Sequence, residues 1–154
     1  GEIGPILKAR RQTIGVSESS SGGLVSAALL AQSGASAYFR GGGVIYAPAA
    51  FKGLMGLSKE DIGDMRSSSE PYARFMAGQM RERLRADWGL CETGAAGPSG
   101  NGYGDAAGHA GVDLGGEGTE ISRTLETGLS DRVTNMRLFA REALELLLET
   151  IRQS

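Results

Sequence analysis

The chain has few of the residues that most enzymes use for acid–base or metal chemistry. It holds one histidine and one cysteine in 154 residues, and its only lysines are Lys8, Lys52 and Lys59. With no second histidine or cysteine there is no nitrogen or sulfur ligand set, so no resident metal or cofactor is expected. A magnesium ion held by carboxylates and a phosphate stays compatible with the spacing alone. The lone Cys91 has no disulfide partner, and its setting in Trp88-Gly89-Leu90-Cys91 reads as core, in keeping with a reducing compartment. His109 lies between Gly108 and Ala110 with nothing beside it that marks a catalytic base. No Gly-x-Ser-x-Gly elbow occurs either, and Ser–His–Asp catalysis is not indicated.

Charge of one sign is also missing. Sixteen basic residues face 18 acidic ones, for a net charge of -2, and the basic residues are scattered. Nucleic-acid binding needs a concentrated positive face, so nucleic acid is not an expected partner. There is no run of about 18 apolar residues that would cross a membrane, and the N-terminal residues lack the pattern of a signal peptide. A cytoplasmic location is the expectation, with no membrane partner.

Glycine, by contrast, is abundant: 25 residues, more than twice the usual ~7% share. Most glycines fall beside expected strand ends, at 22–23, 41–43, 94–104 and 108–118, where backbone must turn tightly or approach a neighbour. The length suits one domain, residues 1–154, with a single complete core.

Periodicity orders the rest of the chain. A helix over residues 2–12 leads into a buried strand, Thr13-Ile14-Gly15-Val16, then a serine turn and an apolar helix from Leu24 to Ala31. A second strand at 42–46 precedes a helix in which Pro48 suits the first turn. In a helix over 70–86, Tyr72, Phe75, Met76, Met80 and Leu84 recur at helical spacing and read as core. A third strand at 88–93 runs into the loop 94–104, and weaker strands at 109–114 and 119–127 suggest a hairpin across Gly115-Gly116. A helix from Asp131 to Arg152, capped by Ser130 or Asp131, closes the chain. The pattern predicts an α/β fold: a three-layer α/β/α sandwich with a mixed, mostly parallel sheet. Ligands in such sheets bind beyond the carboxyl ends of the strands, so the turns after Val16, Tyr46 and Thr93 are expected to face one pocket.

The turn Ser17-Glu18-Ser19-Ser20-Ser21-Gly22-Gly23 concentrates the chemistry. Backbone N–H groups at a helix start attract an anion, and Gly22 and Gly23 would let a phosphate approach. One hydroxyl there can equally be a nucleophile, with a lysine as base, or the serines can simply cap the helix.

The ordered series Ser17-Glu18-Ser19-Ser20-Ser21-Gly22-Gly23, Gly34-Ala35-Ser36-Ala37-Tyr38-Phe39, Gly43-Val44-Ile45-Tyr46, Ser69-Glu70-Pro71, Ala86-Asp87 and Thr93-Gly94-Ala95-Ala96-Gly97-Pro98-Ser99-Gly100 resembles the CinA C-terminal domain family. The resemblance covers essentially the whole chain as one CinA C-terminal-like domain. It implies a three-layer α/β/α fold, a homo-oligomer, and hydrolysis of the carboxamide of nicotinamide mononucleotide to nicotinate mononucleotide and ammonia. Carried over by position, the family's serine falls on Ser19, with Ser20 and Ser21 in place of the usual cysteine and threonine. Its tyrosine falls on Tyr46, its threonine on Thr93 and its arginine on Arg132. The resemblance thus implies Ser19, Tyr46 and Lys52 as catalytic, and Ser20, Ser21, Gly22, Gly23, Thr93, Gly94 and Arg132 as substrate-binding. One departure stands out: the family's lysine, five residues after the tyrosine, meets Phe51, and Lys52 follows it. Neighbouring helix residues point about 100° apart, so Lys52 is expected to project away unless Pro48 shifts the register. The alternatives are a nucleotide-binding or regulatory module that has lost the chemistry, and an amidase acting on a different amide.

Overall fold

Helix α1 (Ile3–Arg10) leads into strand β1 (Ile14–Glu18) in the computed structural model, which describes every residue from Gly1 to Ser154. After the serine turn come helix α2 (Leu24–Leu30), a 3-10 turn at Ala35–Ala37, strand β2 (Phe39–Val44), helix α3 (Pro48–Met55) and the single turn α4 (Lys59–Ile62). Helix α5 (Glu70–Arg83) is followed by strands β3 (Trp88–Ala95), β4 (His109–Gly116) and β5 (Thr119–Glu126), and helix α6 (Arg132–Gln153) closes the chain.

The strands form one sheet in the order β2-β1-β3-β4-β5. Strand β1 pairs in parallel with β2 and β3, while β4 runs antiparallel to both β3 and β5. Four of the five strands therefore point the same way, and the sheet is mixed as the order of elements predicts. The expected hairpin exists, but its turn is not Gly115-Gly116. Both glycines belong to β4, with Gly116 paired to Thr119, so Glu117 and Gly118 make the connection. Gly118 has a φ of 71° and supplies the left-handed residue there.

Alternation along the strands sorts side chains into two layers. Ile14, Val16, Trp88, Leu90, Val112 and Leu114 face α1, α2 and α6, where they join Leu7, Val25, Leu29, Ala143, Leu147 and Ile151. The other face carries Cys91 against α3 and α5, with Phe51, Met55, Tyr72, Met76 and Met80. The aromatic and methionine stripe of α5 is core, as its spacing indicates, and each such side chain contributes about 1.5–3 kcal/mol by leaving water.

Several glycines serve close packing and not turning. A Cβ on Gly89 would sit 2.1 Å from the Ala77 carbonyl oxygen, and one on Gly111 would sit 3.0 Å from the Ser69 backbone. Helix α5 therefore lies directly on a glycine-lined stretch of sheet, with Ser69 accepting from Tyr72 N at its start. Asp131 is the cap of α6: its carboxylate accepts from the Thr134 N–H and hydroxyl, which hold its pKa below the ordinary value.

Candidate active site

Strands β1, β2 and β3 are parallel, so their carboxyl ends open on one edge of the sheet. The Ile45 N–H donates to the Glu18 carbonyl at 2.8 Å, which sets Ser19 and Tyr46 on neighbouring strand ends. Arg132, in the first turn of α6, ties the next exit to these. Its Nη1 donates to the Gly97 carbonyl and its Nη2 to the Tyr46 hydroxyl at 3.0 Å. Two of its five N–H donors are thereby used, on a residue that is exposed.

The serine turn closes over two buried carboxylates, Glu18 and Glu92, each 1% exposed. Glu92 Oε1 accepts the backbone N–H groups of Ser19 and Ser21, both at 2.9 Å, and its Oε2 accepts the Ser20 hydroxyl at 2.6 Å. Glu18 accepts the N–H groups of Gly23, Val25 and Ser26 at 2.8 to 3.1 Å. Ser21 Oγ lies 2.6 Å from an oxygen of each acid. Gly22 and Gly23 have φ values of 64° and 103°, which lets so tight a turn form.

This arrangement corrects two expectations. The anion at the start of α2 is the chain's own Glu18 carboxylate, which takes the amides that a phosphate would need, Gly23 among them. The Gly22 N–H is taken as well, by the Ser19 carbonyl. The serines are not the cap of α2 either, since Glu18 performs that task and Ser20 and Ser21 turn inward. Ser19 alone remains partly exposed, and its hydroxyl enters none of the chain's hydrogen bonds.

Beside this edge lies a cavity of about 450 Å³ lined by Tyr46, Pro48, Phe51, Lys52, Tyr72 and Tyr103 among others. Ser19, Thr93 and Arg132 do not line it; Tyr46 is the link, through its bond to Arg132. Phe51 is buried and stacks obliquely on Tyr72, with ring centroids 6.3 Å apart. Lys52 is exposed, and it lines the cavity together with Lys59. Burial pushes the Tyr72 phenol up to about 12, with Cys91 and Tyr103 adding to the shift, so it stays a neutral donor. Arg66 lies against the lining residue Tyr103, its guanidinium 5.8 Å from that ring and 3.3 Å from Asp105.

Thr93 faces α5, opposite to Glu92, and its hydroxyl accepts the Ser68 N–H at 3.0 Å. The Ser68 carbonyl in turn receives His109 Nε2 at 2.8 Å, while His109 Nδ1 bonds the Glu126 carboxylate. Thr93 and His109 thus hold Ser68, a non-glycine residue at φ 62°, next to the cavity residue Ser67. Gly94 sits in the β3–β4 ladder, where a Cβ would meet Phe139 and Ala110 at 2.7 and 2.8 Å. Cys91 is buried, and burial first, then the charge of Glu92, push its thiol well up, so it is no nucleophile. No three His, Cys, Asp or Glu side chains gather to hold a metal ion, and no helix is long and apolar enough to cross a membrane.

Sequence reasoning passed over Glu92. The signal was present: one acid inside the apolar run Trp88–Thr93 must find donors when the strand is buried.

Comparison with known proteins agrees with this fold. The chain matches the CinA C-terminal domain over residues 1–151. It is 36% identical to a CinA-like protein of Nostoc sp., with 94% of this chain and 37% of that protein aligned. It is 35% identical to a putative competence-damage inducible protein of Halothermothrix orenii, over 99% of this chain and 37% of that protein. The chain thus spans about a third of the length of the curated relatives it matches. Among solved structures, a CinA superfamily protein of Escherichia coli superposes with a TM-score of 0.88 at 26% identity, covering 96% of this chain and 86% of that one. A CinA superfamily protein of Klebsiella pneumoniae shares the fold with a TM-score of 0.89 at 24% identity, covering 99% and 94%. On the match across residues 1–151 and the relatives above 30% identity, the chain belongs to the CinA C-terminal domain family.

Proposed function

We propose that the chain is a serine amidohydrolase that cleaves the carboxamide of nicotinamide mononucleotide, with Ser19 as nucleophile. The observation that carries this reading is the contrast within the turn: Ser20 and Ser21 are bound to buried carboxylates, while the Ser19 hydroxyl is free and its backbone is held. Ser19 Oγ forms a bond to the carboxamide carbon as its proton passes to a base. The C–N bond then breaks, and ammonia departs with that proton. Water cleaves the resulting ester, releasing the carboxylate with a proton and restoring the Ser19 hydroxyl. Lys52 or Tyr46 is the base among the exposed groups at this edge. Arg132 supplies the charge-assisted donors for the nucleotide phosphate, and the Tyr46, Phe51 and Tyr103 rings suit a flat heterocycle.

A second reading rests on Phe51. It is buried where the family places its lysine, and Lys52 is turned outward, which favours a nucleotide-binding module without hydrolysis or an amidase for a different amide. General acid–base catalysis contributes typically 10²- to 10⁴-fold, so a lost base predicts weak turnover and not a changed product. Ammonia release from nicotinamide mononucleotide, measured together with calorimetric binding of the same compound, separates the two. Release that Ser19→Ala abolishes supports the hydrolase; binding without ammonia removes it for this substrate. Release that persists in Ser19→Ala takes Ser19 out of the mechanism.

A further inference from the structure

We infer that Glu92 is a positioning residue for Ser19, acting through the backbone amides of the turn and not as a base. The inference rests on Ser19 being the nucleophile, as proposed above.

Glu92 is in the central strand β3 and reaches across to the turn after β1. Its Oε1 holds the N–H of Ser19 and the N–H of Ser21, so the Glu18–Ser19 and Ser20–Ser21 peptide planes are both fixed to one atom. Its Oε2 holds the Ser20 hydroxyl. On the far side Glu18 holds the amides of Gly23, Val25 and Ser26, and Ser21 Oγ touches both acids. Residues 19 to 26 are therefore pinned from two points inside the protein. Ser19 is the one serine at 19 to 21 whose side chain is left to project outward.

A base role for Glu92 conflicts with its surroundings. A carboxylate offers about four lone-pair sites, and those of Glu92 face two amides, the Ser20 hydroxyl and the Ser21 hydroxyl that it shares with Glu18. None of these contacts is to the Ser19 hydroxyl, so the carboxylate is not set to take its proton. What the carboxylate does instead is set the position of the nucleophile, where an error of about 1 Å is worth on the order of 100-fold in rate.

The test uses Glu92→Gln and Glu92→Asp in the whole chain and reads the rate at which a fluorophosphonate probe labels Ser19, followed by intact mass and peptide mapping. Ammonia release, split into kcat and KM, is measured in parallel, and melting temperature reports folding. Gln keeps an acceptor oxygen on both amides and is expected to label within about tenfold of the parent. Asp is one methylene shorter and withdraws from the amides; labelling and kcat should fall about 100-fold, with KM within about threefold. Labelling of the Asp variant at the parent rate overturns the inference. So does the reverse order, Asp active and Gln dead, which is the signature of a base. Absence of Ser19 labelling in the parent overturns it as well. If Asp fails to fold, Gln decides alone, since a 100-fold loss there contradicts positioning through the amides. Failure of the hydrolase reading appears separately, as ammonia release that survives Ser19→Ala or never occurs, while the labelling series still reads the effect of Glu92.

Discussion

Glu18 and Glu92, on the face covered by α2 and α6, meet seven hydrogen-bond donors between them, five of them backbone amides and one, the Ser21 hydroxyl, shared by both acids. Asp113, on the face covered by α5, is 0% exposed and receives one, the Ser122 hydroxyl at 2.5 Å. Its Oδ2 has no partner, and the nearest cation, Arg74 Nε, is 3.9 Å away. The two regions differ in what backbone is on offer. A turn and a helix start leave amides without partners, and a carboxylate beneath them completes the structure. Asp113 sits mid-ladder, between β3 and β5, where the neighbouring amides already belong to the sheet. Burial therefore pushes its carboxyl up to about 7, aided by the facing Glu120, with Ser122 and Arg74 opposing.

The largest effect should come from stripping the well-satisfied side. Glu18→Ala removes the acceptor of three amides, while the Ser21 hydroxyl keeps Glu92. Each buried donor left without a partner costs about 1–3 kcal/mol, and water entering the gap offsets part of it, so a loss of roughly 4 kcal/mol is expected in urea unfolding at pH 7. A loss under about 1 kcal/mol would mean that the acids are not what holds the turn.

Asp113→Asn should act in the opposite direction, with an effect that grows as pH rises toward 7. The folded chain keeps the Asp113 proton up to about pH 7, whereas the unfolded chain releases it near 3.8. The folded state thus binds more protons between those values, and stability falls as pH rises through that window. A shift of that size corresponds to ~4 kcal/mol at about 1.4 kcal/mol per unit. Asparagine has no charge to bury but must still house an amide, so a gain of about 2 kcal/mol is expected at pH 8, with near equality at pH 5. Melting curves at the two values check it. An Asn variant that keeps the parental slope would show that Asp113 is not the group responsible.

The same contrast explains what the sequence made legible. The layers follow from periodicity: the spacing of Tyr72, Met76 and Met80, and the apolar strand at 14–16, each specify a buried face from local residues alone. The family resemblance named Ser19, Tyr46 and Arg132 as site residues, and Tyr46 is bonded to Arg132. The role of Glu18 was hidden because its partners are amides, which no residue type reveals. Glu92 lies 71 to 73 residues from its partners Ser19 to Ser21, a juxtaposition that only the pairing of β1 with β3 creates. Gly111 falls in a glycine-rich stretch that reads as strand ends and is instead a contact with the start of α5, because close approach and a positive φ leave the same mark in composition. Phe51 and Lys52 illustrate the limit at the cavity. Helical geometry separates their directions, yet both line one space, since Phe51 contributes its buried ring and Lys52 the exposed side.

The smallest effect is also the most selective test of the comparison. Ser122→Ala deletes the one donor that Asp113 has. When Asp113 is protonated, its Oδ1 gains little from that hydroxyl; when it is ionised, the bond is charge-assisted and worth more. Loss of the donor should therefore leave stability near the parental value at pH 5 and lower it by about 1.5 kcal/mol at pH 8, the low end for a bond to a charged group at a half-buried serine. The midpoint of the pH-dependent decline should move up, because the ionised form has lost its support. In an Asp113→Asn background the pH dependence of the Ser122 substitution should vanish, as the two groups form one unit. Equal losses at both pH values would instead assign Ser122 to packing alone, and the scarcity of donors would no longer explain why this carboxyl differs from Glu18 and Glu92.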